Sequence, residues 1–244
     1  LHGQKSGDSP HVASHGTQMA SWYVQGASFD EADFSSAMLM AWTTDGMSYE
    51  GLSELAPEGM RAISAESARF ENCVLEECNL SGGNFEDATF LLTKFTEECI
   101  FNGANFTNAM FDQTDFLEAS LSGSNMNDSR IDQSSFEDCN LTGAQLGSAM
   151  IRNTSFKGAN MRGVSFDRAM VDGADFTGTD LSTCNLTGAV MKKLVGTPPP
   201  LPQDFVVKSY QDESVDVNGD TLRTDVYDIV INENRYNDGL REKD

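Results

Sequence analysis

Apolar residues recur at every fifth position of this chain over 25 consecutive units. The series runs from Phe70 to Phe95, skips one extra residue around Glu97–Glu98, and continues from Phe101 to Met191. An amphipathic helix needs a spacing of about 3.6 residues, and a half-buried strand a spacing of about two. A period of five fits neither of them. The repeat therefore rules out ordinary helices and flat strands for this part of the chain.

The other positions of each unit also follow rules. Two residues before the apolar centre the side chain is small in every unit except that of Val164. Asn or Asp directly precedes the centre in ten units, and Gly follows it by two positions in nine. Because Gly adopts positive φ at little cost, its placement predicts a tight turn at the end of each unit.

Units such as Ala104–Asn108 (ANFTN) and Ala174–Gly178 (ADFTG) resemble the pentapeptide-repeat family, whose pattern is A-(D/N)-L-x-x. The resemblance covers residues 68–193. It implies an all-β fold, a right-handed quadrilateral parallel β-helix of about six or more coils, with non-repeat extensions at both ends. Four units would form the four walls of each coil. The centre and the small residue would point inward, and the other three residues would face solvent.

Residues about 20 positions apart should then lie above one another in successive coils. One such column is Phe95, Phe116, Phe136, Phe156 and Phe176, and its neighbour contains Phe111, Ile131, Ile151, Val171 and Met191. Like side chains stacked on like predict a continuous core that no single repeat could bury. We take the Phe column, with Ile131, Ile151 and Val171, as the structural core.

The repeat divides the chain into four parts. Residues 1–22 are interpreted as a flexible tail, and 23–67 as degenerate repeats with a loop or cap. Residues 68–193 are the predicted β-helix, and 194–244 a Pro-rich linker followed by a β-rich extension.

Two alternatives stay open on the N-terminal side. Weaker repeats precede the main block and are centred on Phe29, Phe34 and Leu39. Residues 50–67 interrupt this pattern, either as a protruding loop or short helix or as an irregular coil in the wall. Because the end of a solenoid must be covered, Trp22 and Tyr23 are predicted to cap it.

Two alternatives also stay open on the C-terminal side. The segment Thr197–Pro202 is a polyproline II candidate, which we interpret as a spacer, with a groove-binding ligand as the alternative. Residues 205–236 are rich in strand-forming residues and contain a turn signal at Asn218–Gly219. We expect them either to fold back as a cap on the solenoid or to mediate self-association.

No catalytic residue, cofactor site or metal site is predicted. The three histidines, His2, His11 and His15, all lie in the N-terminal tail, which we interpret as flexible in preference to a metal site. The body of the chain therefore contains neither a Ser–His nor a Cys–His pair.

A short acidic motif, Asp216-x-Asn218-x-Asp220, resembles the start of a calcium-binding loop. The loop pattern requires Gly at its sixth position and Glu at its twelfth, where this chain has Thr221 and Tyr227. We therefore interpret the motif as an acidic hairpin turn.

All five cysteines occupy the small, inward position of their units: Cys73, Cys78, Cys99, Cys139 and Cys184. A buried free Cys packs as a small apolar residue, so core packing is the expected role. Cys78 and Cys99 would lie in adjacent coils of one column, where a disulfide is conceivable. The odd total and interior placement favour a reducing compartment such as the cytoplasm. A plastid or thylakoid lumen is the alternative, because the chain begins at Leu1.

The chain has 38 acidic and 16 basic residues, a net charge of −22, which disfavours nucleic acid as a partner. No apolar run approaches the roughly 20 residues needed for membrane insertion. The acidic residues are unevenly distributed. Residues 68–138 hold 14 acidic and three basic side chains, and residues 139–193 hold four acidic and six basic ones. The acidic residues that we predict as partner contacts are Glu76, Glu77, Glu86, Asp87, Glu97, Glu98, Glu137 and Asp138.

These features predict a non-enzymatic scaffold or assembly subunit that binds a protein partner without any cofactor. Self-association, or a larger complex, would use the termini. The family resemblance supplies an alternative, a DNA-mimic regulator or inhibitor of a type II topoisomerase (gyrase). The slightly basic half of the repeat argues against mimicry along the whole rod.

Overall fold

A computed structural model of the protein describes residues 18–20, 29–31, 38–40, 63–95, 99–215, 217 and 220–232. The regular structure in these residues consists of thirteen β-strands. They are β1 Gln18–Ala20, β2 Met38–Met40, β3 Arg69–Glu71, β4 Val74–Glu76, β5 Thr89–Leu91, β6 Lys94–Phe95, β7 Met110–Asp112, β8 Arg130–Asp132, β9 Met150–Arg152, β10 Met170–Asp172, β11 Val190–Leu194, β12 Phe205–Val215 and β13 Thr221–Ile231.

The strands form two sheets that run along the solenoid. One has nine strands in the order β12-β13-β11-β10-β9-β8-β7-β5-β3, and the other has four in the order β1-β2-β4-β6. Strands β9, β10 and β11 pair in parallel at a spacing of 20 residues, as in Met150↔Met170↔Val190. Columns of isolated parallel bridges, such as Ser120↔Asn140 and Asn125↔Gln145, complete the remaining walls. The predicted fold class, a parallel β-helix of about six turns, is confirmed.

One extra residue interrupts the coil spacing where the sequence places it. Pairs that span Glu97–Glu98 are 21 residues apart, as in Asn84↔Asn105, whereas the next pair in that column, Asn105↔Asn125, is 20 apart. Residues 96–98 themselves lie outside the described residues. The register therefore confirms the insertion and its position.

The interior holds one large and one small side chain from each unit. The Phe column is buried, and its successive rings stack with centroids 4.4, 4.7, 5.3 and 5.1 Å apart. The neighbouring column is also buried, at the centres of β7 to β11. Offset-stacked rings are favoured by their charge distribution in addition to the area they bury. The core is thus a set of like-on-like columns.

The unit grammar has two local causes. The Asn or Asp before the centre accepts a hydrogen bond from the backbone two residues later: Thr107 N–H donates to Asn105 Oδ1 at 3.1 Å. This side-chain turn fixes the corner in the units that have Asn or Asp at that position. The residue two after the centre has positive φ, +65° at Gly103 and +58° at Asn108. Gly tolerates this conformation, and Asn and Asp tolerate it better than most other residues.

The N-terminal strands continue the β-helix. Strands β1 and β2 pair in parallel at the usual 20 residues. Strand β2 then pairs with β4, and Met38 lies beside Val74, a separation of 36 residues, 16 more than one coil. The unit before the main block, centred on the buried Ala65, already belongs to the wall, because Ser64 bridges Asn84. The rest of the 50–67 interruption, with Trp22 and Tyr23, lies outside the described residues.

The segment expected to be a spacer packs on the last coil. Val195 bridges Asp175, and Leu181 N–H donates to Pro200 O at 3.0 Å. Leu194 and Pro199 are buried. Proline lacks a donor but keeps its carbonyl acceptor, so this Pro-rich run can still receive hydrogen bonds from the wall. The segment is therefore hydrogen-bonded to the last coil, whereas a plain spacer would make no such contact.

The C-terminal hairpin covers the exposed edge of β11. Strands β12 and β13 are antiparallel over eleven pairs, from Phe205↔Ile231 to Val215↔Thr221. Strand β13 pairs antiparallel with β11, and Tyr227 and Ile229 are buried there. The proximal end of the hairpin therefore folds back on the solenoid. Asp216, Asn218 and Gly219, in the predicted turn, are outside the described residues.

Candidate functional site

The outer face of the nine-stranded sheet carries several exposed apolar side chains at the position just before the centre. Met150, Met170 and Val190 lie side by side on β9, β10 and β11. Met170 is 58% exposed, and its two neighbours are also exposed. Met110 lies two strands further on, with Arg130 between it and Met150. Because the backbone ladder fixes these positions, the exposed side chains share one flat surface.

The hairpin continues this line of side chains. The Met191↔Ile229 register places Val190 next to Val230, which pairs with Val206. Val206 and Val230 are both exposed. We define the apolar row as Met110, Met150, Met170, Val190, Val230 and Val206. With paired strands about 4.8 Å apart, its uninterrupted part from Met150 to Val206 is about 19 Å long.

A charged row runs beside the apolar row on the same face. It consists of Asp132, Arg152, Asp172 and Lys192 on β8 to β11, followed beyond the irregular β11–β13 contact by the paired Asp228 and Lys208. The signs alternate along this row, which ends at Asp132 because the next residue, Asp112 on β7, is also acidic. Opposite charges on neighbouring strands attract, whereas like charges would destabilise the sheet. The face is therefore close to neutral overall, although the chain is strongly acidic.

This combination suits contact with another protein. Exposed apolar side chains in one continuous line, bordered by charge, are typical of docking surfaces. Met is flexible and polarisable, so it adapts to an opposing surface. The rigid backbone beneath keeps the cost of ordering the site low.

The predicted acidic contacts do not come together in one patch. Glu76 and Glu77 belong to the unit centred on Leu75, and Glu86 and Asp87 to the unit centred on Phe85. Two units make half a coil, so these pairs lie on opposite walls.

The later acidic pair lies in the same column as Glu76 and Glu77. Glu137 and Asp138 follow the centre Phe136, three coils further along. Glu137 accepts a hydrogen bond from Ser155 Oγ at 2.8 Å, and Lys157 Nζ lies 3.9 Å from its carboxylate. A nearby base thus partly offsets its charge. Glu97 and Glu98 are outside the described residues.

Sequence reasoning missed the apolar row. Its signal was present: Met150, Met170 and Val190 are 20 residues apart and occupy a position that holds Asn or Asp in ten other units. The continuation through Val206 and Val230 had no periodic signal. It depends on an antiparallel contact between β11 and β13 that the repeat does not encode.

The cysteines do not form a reactive site. All five are buried thiols that belong to no disulfide, so the conceivable Cys78–Cys99 disulfide is not formed. Burial raises the pKa of Cys184 to about 12 and raises the pKa of Cys139 still further. Because the thiolate is the nucleophile, these neutral thiols are inert at physiological pH.

Within the described ranges, no group of three or more His, Cys, Asp or Glu side chains is arranged to hold a metal ion. The histidines and part of the Asp216–Asp220 motif lie outside those ranges. The described residues also contain no helix long and apolar enough to cross a membrane.

Two family models match the repeat. One, for a pentapeptide repeat region, matches residues 68–146, and one for pentapeptide repeats matches residues 139–178 and 172–193. Together they cover the whole predicted repeat, about half of the chain. No protein of curated function matches the sequence.

Several solved structures align with the chain at low identity. A trypsin-treated form of QnrB1, a plasmid-mediated fluoroquinolone resistance protein, aligns over 75% of this chain and 84% of its own, with 18% identity and a TM-score of 0.56. HetL from the cyanobacterium Nostoc sp. strain PCC 7120, involved in heterocyst differentiation regulation, aligns over 75% and 92%, with 18% identity and a TM-score of 0.35. A pentapeptide repeat protein from the Arabidopsis thaliana thylakoid lumen aligns over 52% and 70%, with 24% identity and a TM-score of 0.29.

Proposed function

The chain belongs to the pentapeptide-repeat family, and from that premise we propose that it is a non-catalytic scaffold that binds another protein along the outer face of its nine-stranded sheet. The observation that carries the proposal is the apolar row, with Met150, Met170 and Val190 exposed on adjacent strands. Burying such a row releases water from apolar surface at about 25 cal/mol per Å².

The partner is a protein with a flat apolar strip bordered by charge. An extended nucleic-acid backbone is a poor match because the chain carries a net charge of −22. A membrane surface is a poor match for the same reason. The charged row from Asp132 to Lys208 has little net charge, so it adds little overall attraction to a partner. It favours a partner whose charges alternate in the complementary order.

A non-catalytic role is supported by the chemistry of the interior. All five thiols are buried, burial raises the pKa of Cys139 and Cys184, and the sequence has no histidine after His15. Carboxylates on convex walls stay solvated, whereas acid–base catalysis needs groups held together in a cleft.

Affinity capture from the source organism tests the proposal. The bait variant Met150→Lys/Met170→Lys places two charges in the centre of the apolar row. The control, Gln145→Lys/Asn160→Lys, adds the same charge at the same position of units on other walls, where both side chains are exposed. Asn160→Lys also removes the acceptor of the Arg162 N–H, so the control disturbs its own turn more than the row variant does. We expect the control to retain the partners of the wild type, and the row variant to bind them at least about tenfold less tightly.

Equal capture by the row variant and the control would reject the apolar row as the docking site. Thermal unfolding of both variants shows whether the solenoid is intact, because each substitution leaves the buried centre unchanged.

The alternative, a DNA-mimic inhibitor of gyrase, is favoured by one observation. The first half of the repeat, residues 68–138, holds 14 acidic and three basic side chains. The described acidic side chains of these residues lie on three of the four walls, half of them on the wall of Leu75 and Phe136. The second half of the repeat is slightly basic, so an imitation of DNA would be confined to one end of the rod. A gyrase supercoiling assay tests it: no inhibition or protection at micromolar protein would reject this alternative.

A further inference from the structure

The outer edge of β12 is a long strand edge without a pairing strand among the described residues. Strand β12 is the first strand of the nine-stranded sheet, and β13 is its one partner among the described strands. The eleven pairs follow one register with no bulge, and the strand contains no Pro. Proteins normally protect such an edge with charged side chains, a bulge, a Pro or a covering segment, because it is a template for another strand. Of these devices, β12 has only the charged side chains of Lys208, Asp212 and Glu213, which an opposing strand of matching charge can pair.

The backbone groups that face outward follow from the hairpin ladder. Asn232 N–H donates to Asp204 O at 2.8 Å, next to the Phe205↔Ile231 pair. Hydrogen-bonded and non-hydrogen-bonded pairs alternate along an antiparallel ladder. Even-numbered residues of β12 therefore bond to β13, and the N–H and C=O groups of the odd-numbered residues from Val207 to Val215 point away from it.

The β12 strand of a second copy can hydrogen-bond to those groups if the two strands pair antiparallel, with Tyr210 of one copy facing Tyr210 of the other. In that register Ser209 faces Gln211 of the second copy, and Val207 faces Glu213. Each of these four residues presents outward backbone groups. Registers centred between two residues fail, because they would pair an outward residue with one already bonded to β13.

Charge selects among the registers that remain. Centring on Tyr210 places Lys208 opposite Asp212 of the second copy, and symmetry repeats the pair. Centring on Ser209 would place Lys208 opposite Tyr210, and centring on Gln211 would place it opposite Ser214. Opposite charges on facing residues stabilise a strand pair. Asp212 already contacts Lys193 Nζ at 3.1 Å, which holds its carboxylate on the same face as Lys208.

We propose that two copies of this chain associate through β12, antiparallel and centred on Tyr210, so that their nine-stranded sheets join into one. A twofold contact of this kind is self-complementary and closes at the dimer. The two apolar rows then lie on the same face of the joined sheet. The dimer would present the docking face defined above twice, but it does not depend on that face having a partner.

Site-specific cysteines test the register in the full-length chain. Facing residues of a non-hydrogen-bonded pair have Cα atoms about 4.5 Å apart, within the range that a disulfide spans. We expect Tyr210→Cys to form a disulfide-linked dimer under mild oxidation. Lys208→Cys and Asp212→Cys should each crosslink poorly alone and efficiently when mixed. The five native thiols are buried and do not compete.

The control is Thr224→Cys, an exposed position on β13 that faces Asp212 and lies off the free edge. It should crosslink no more than the wild type. Light scattering with size-exclusion chromatography should give twice the mass of one chain for the wild type and for Met150→Lys/Met170→Lys. Ser209→Pro, which removes an outward N–H, should give the mass of one chain.

A wild-type monomer at 100 μM or so would overturn the proposal. So would crosslinking of Ser209→Cys or Gln211→Cys with itself in preference to Tyr210→Cys, since either result would place the centre elsewhere. Because the row variant is expected to dimerise normally, failure of the docking face and failure of the dimer are distinguishable.

Discussion

At the scale of single residues, successive coils compensate for one another in volume. Gly83 is the only glycine at the small interior position. A Cβ there would lie 2.9 Å from Ile63 Cγ2 and 2.6 Å from Phe85 Cε2. In the preceding coil, Ile63 occupies the interior position that holds a small residue in most other units. Because Gly83 has no side chain, it leaves room for Ile63 in the same column. The interior position thus tolerates a large residue when its neighbour in the column is reduced to match.

Two interior serines should respond oppositely to the same substitution. Ser129 Oγ is buried without a hydrogen-bond partner among the described residues. Ser134 Oγ donates to Asp132 O at 2.9 Å and accepts from Thr114 N–H at 3.1 Å. We expect Ser129→Ala to raise the free energy of unfolding by about 1 kcal/mol and Ser134→Ala to lower it by about 1–2 kcal/mol.

Urea denaturation of both variants measures the difference. They share the same unit position and the same loss of one oxygen, so each is the control for the other. A change of equal sign in both would show that the hydroxyl's bonding does not decide the outcome.

At the scale of elements, the strands of the repeat were predictable and the docking of the hairpin was not. Each unit repeats the same local grammar, so Phe116 or Phe136 reads as interior without knowledge of the rest of the chain. The pairing of β11 with β13 joins residues such as Met191 and Ile229, 38 positions apart and outside any period. The sequence predicted two strands and a turn, with capping as one of two interpretations, but no register. The continuation of the apolar row through Val230 and Val206 could not be predicted because it depends on that register.

The hairpin offers a direct test of its docking. Ile229 is 7% exposed and packs on the core, whereas Ile231, two residues along the same strand, is 63% exposed. We expect Ile229→Ala to destabilise the docked hairpin by about 2–4 kcal/mol and Ile231→Ala to change stability by less than about 0.5 kcal/mol.

Hydrogen exchange of the β11 and β13 amides, with denaturant unfolding, measures this effect. Ile229→Ala should speed exchange in β13 while the column from β7 to β10 stays protected. Identical behaviour of the two variants would mean that the hairpin does not rest on β11.

At the scale of the whole molecule, the net charge of −22 is distributed so that opposite signs meet at the C-terminal end. The slightly basic half of the repeat ends at Lys193, whose ammonium contacts Asp212 and whose backbone N–H donates to Asp228 Oδ1 at 2.9 Å. The pKa of Lys193 is raised by the hydrogen bond that its ammonium donates to Asp212 and by the charge of that carboxylate. The acidic hairpin therefore covers the basic end of the rod. The sequence alone shows that the repeat has an acidic half and a slightly basic half. The fold shows which segment packs against the basic half.

The buried thiols should make the whole solenoid sensitive to alkali. Burial raises the pKa of Cys184 from its ordinary value of 9.0 to about 12, and raises that of Cys139 in the same direction. Between pH 9 and the folded-state pKa, the unfolded chain loses these protons and the folded chain keeps them. Stability is therefore fully present below pH 9 and falls as pH rises, by about 1.4 kcal/mol per pH unit for each such thiol. Tyr227, whose pKa burial raises to about 12, acts in the same direction above its unfolded value.

The double variant Cys139→Ala/Cys184→Ala isolates this contribution. Its free energy of unfolding, measured by urea denaturation from pH 8 to 10.5, should fall less steeply than that of the wild type, by up to about 2.8 kcal/mol per pH unit above pH 9. The other titrating groups are common to both chains, so their effects cancel in the difference between the two slopes. Equal slopes would mean that the two thiols ionise as readily in the folded solenoid as in the unfolded chain, which would contradict their burial within its columns.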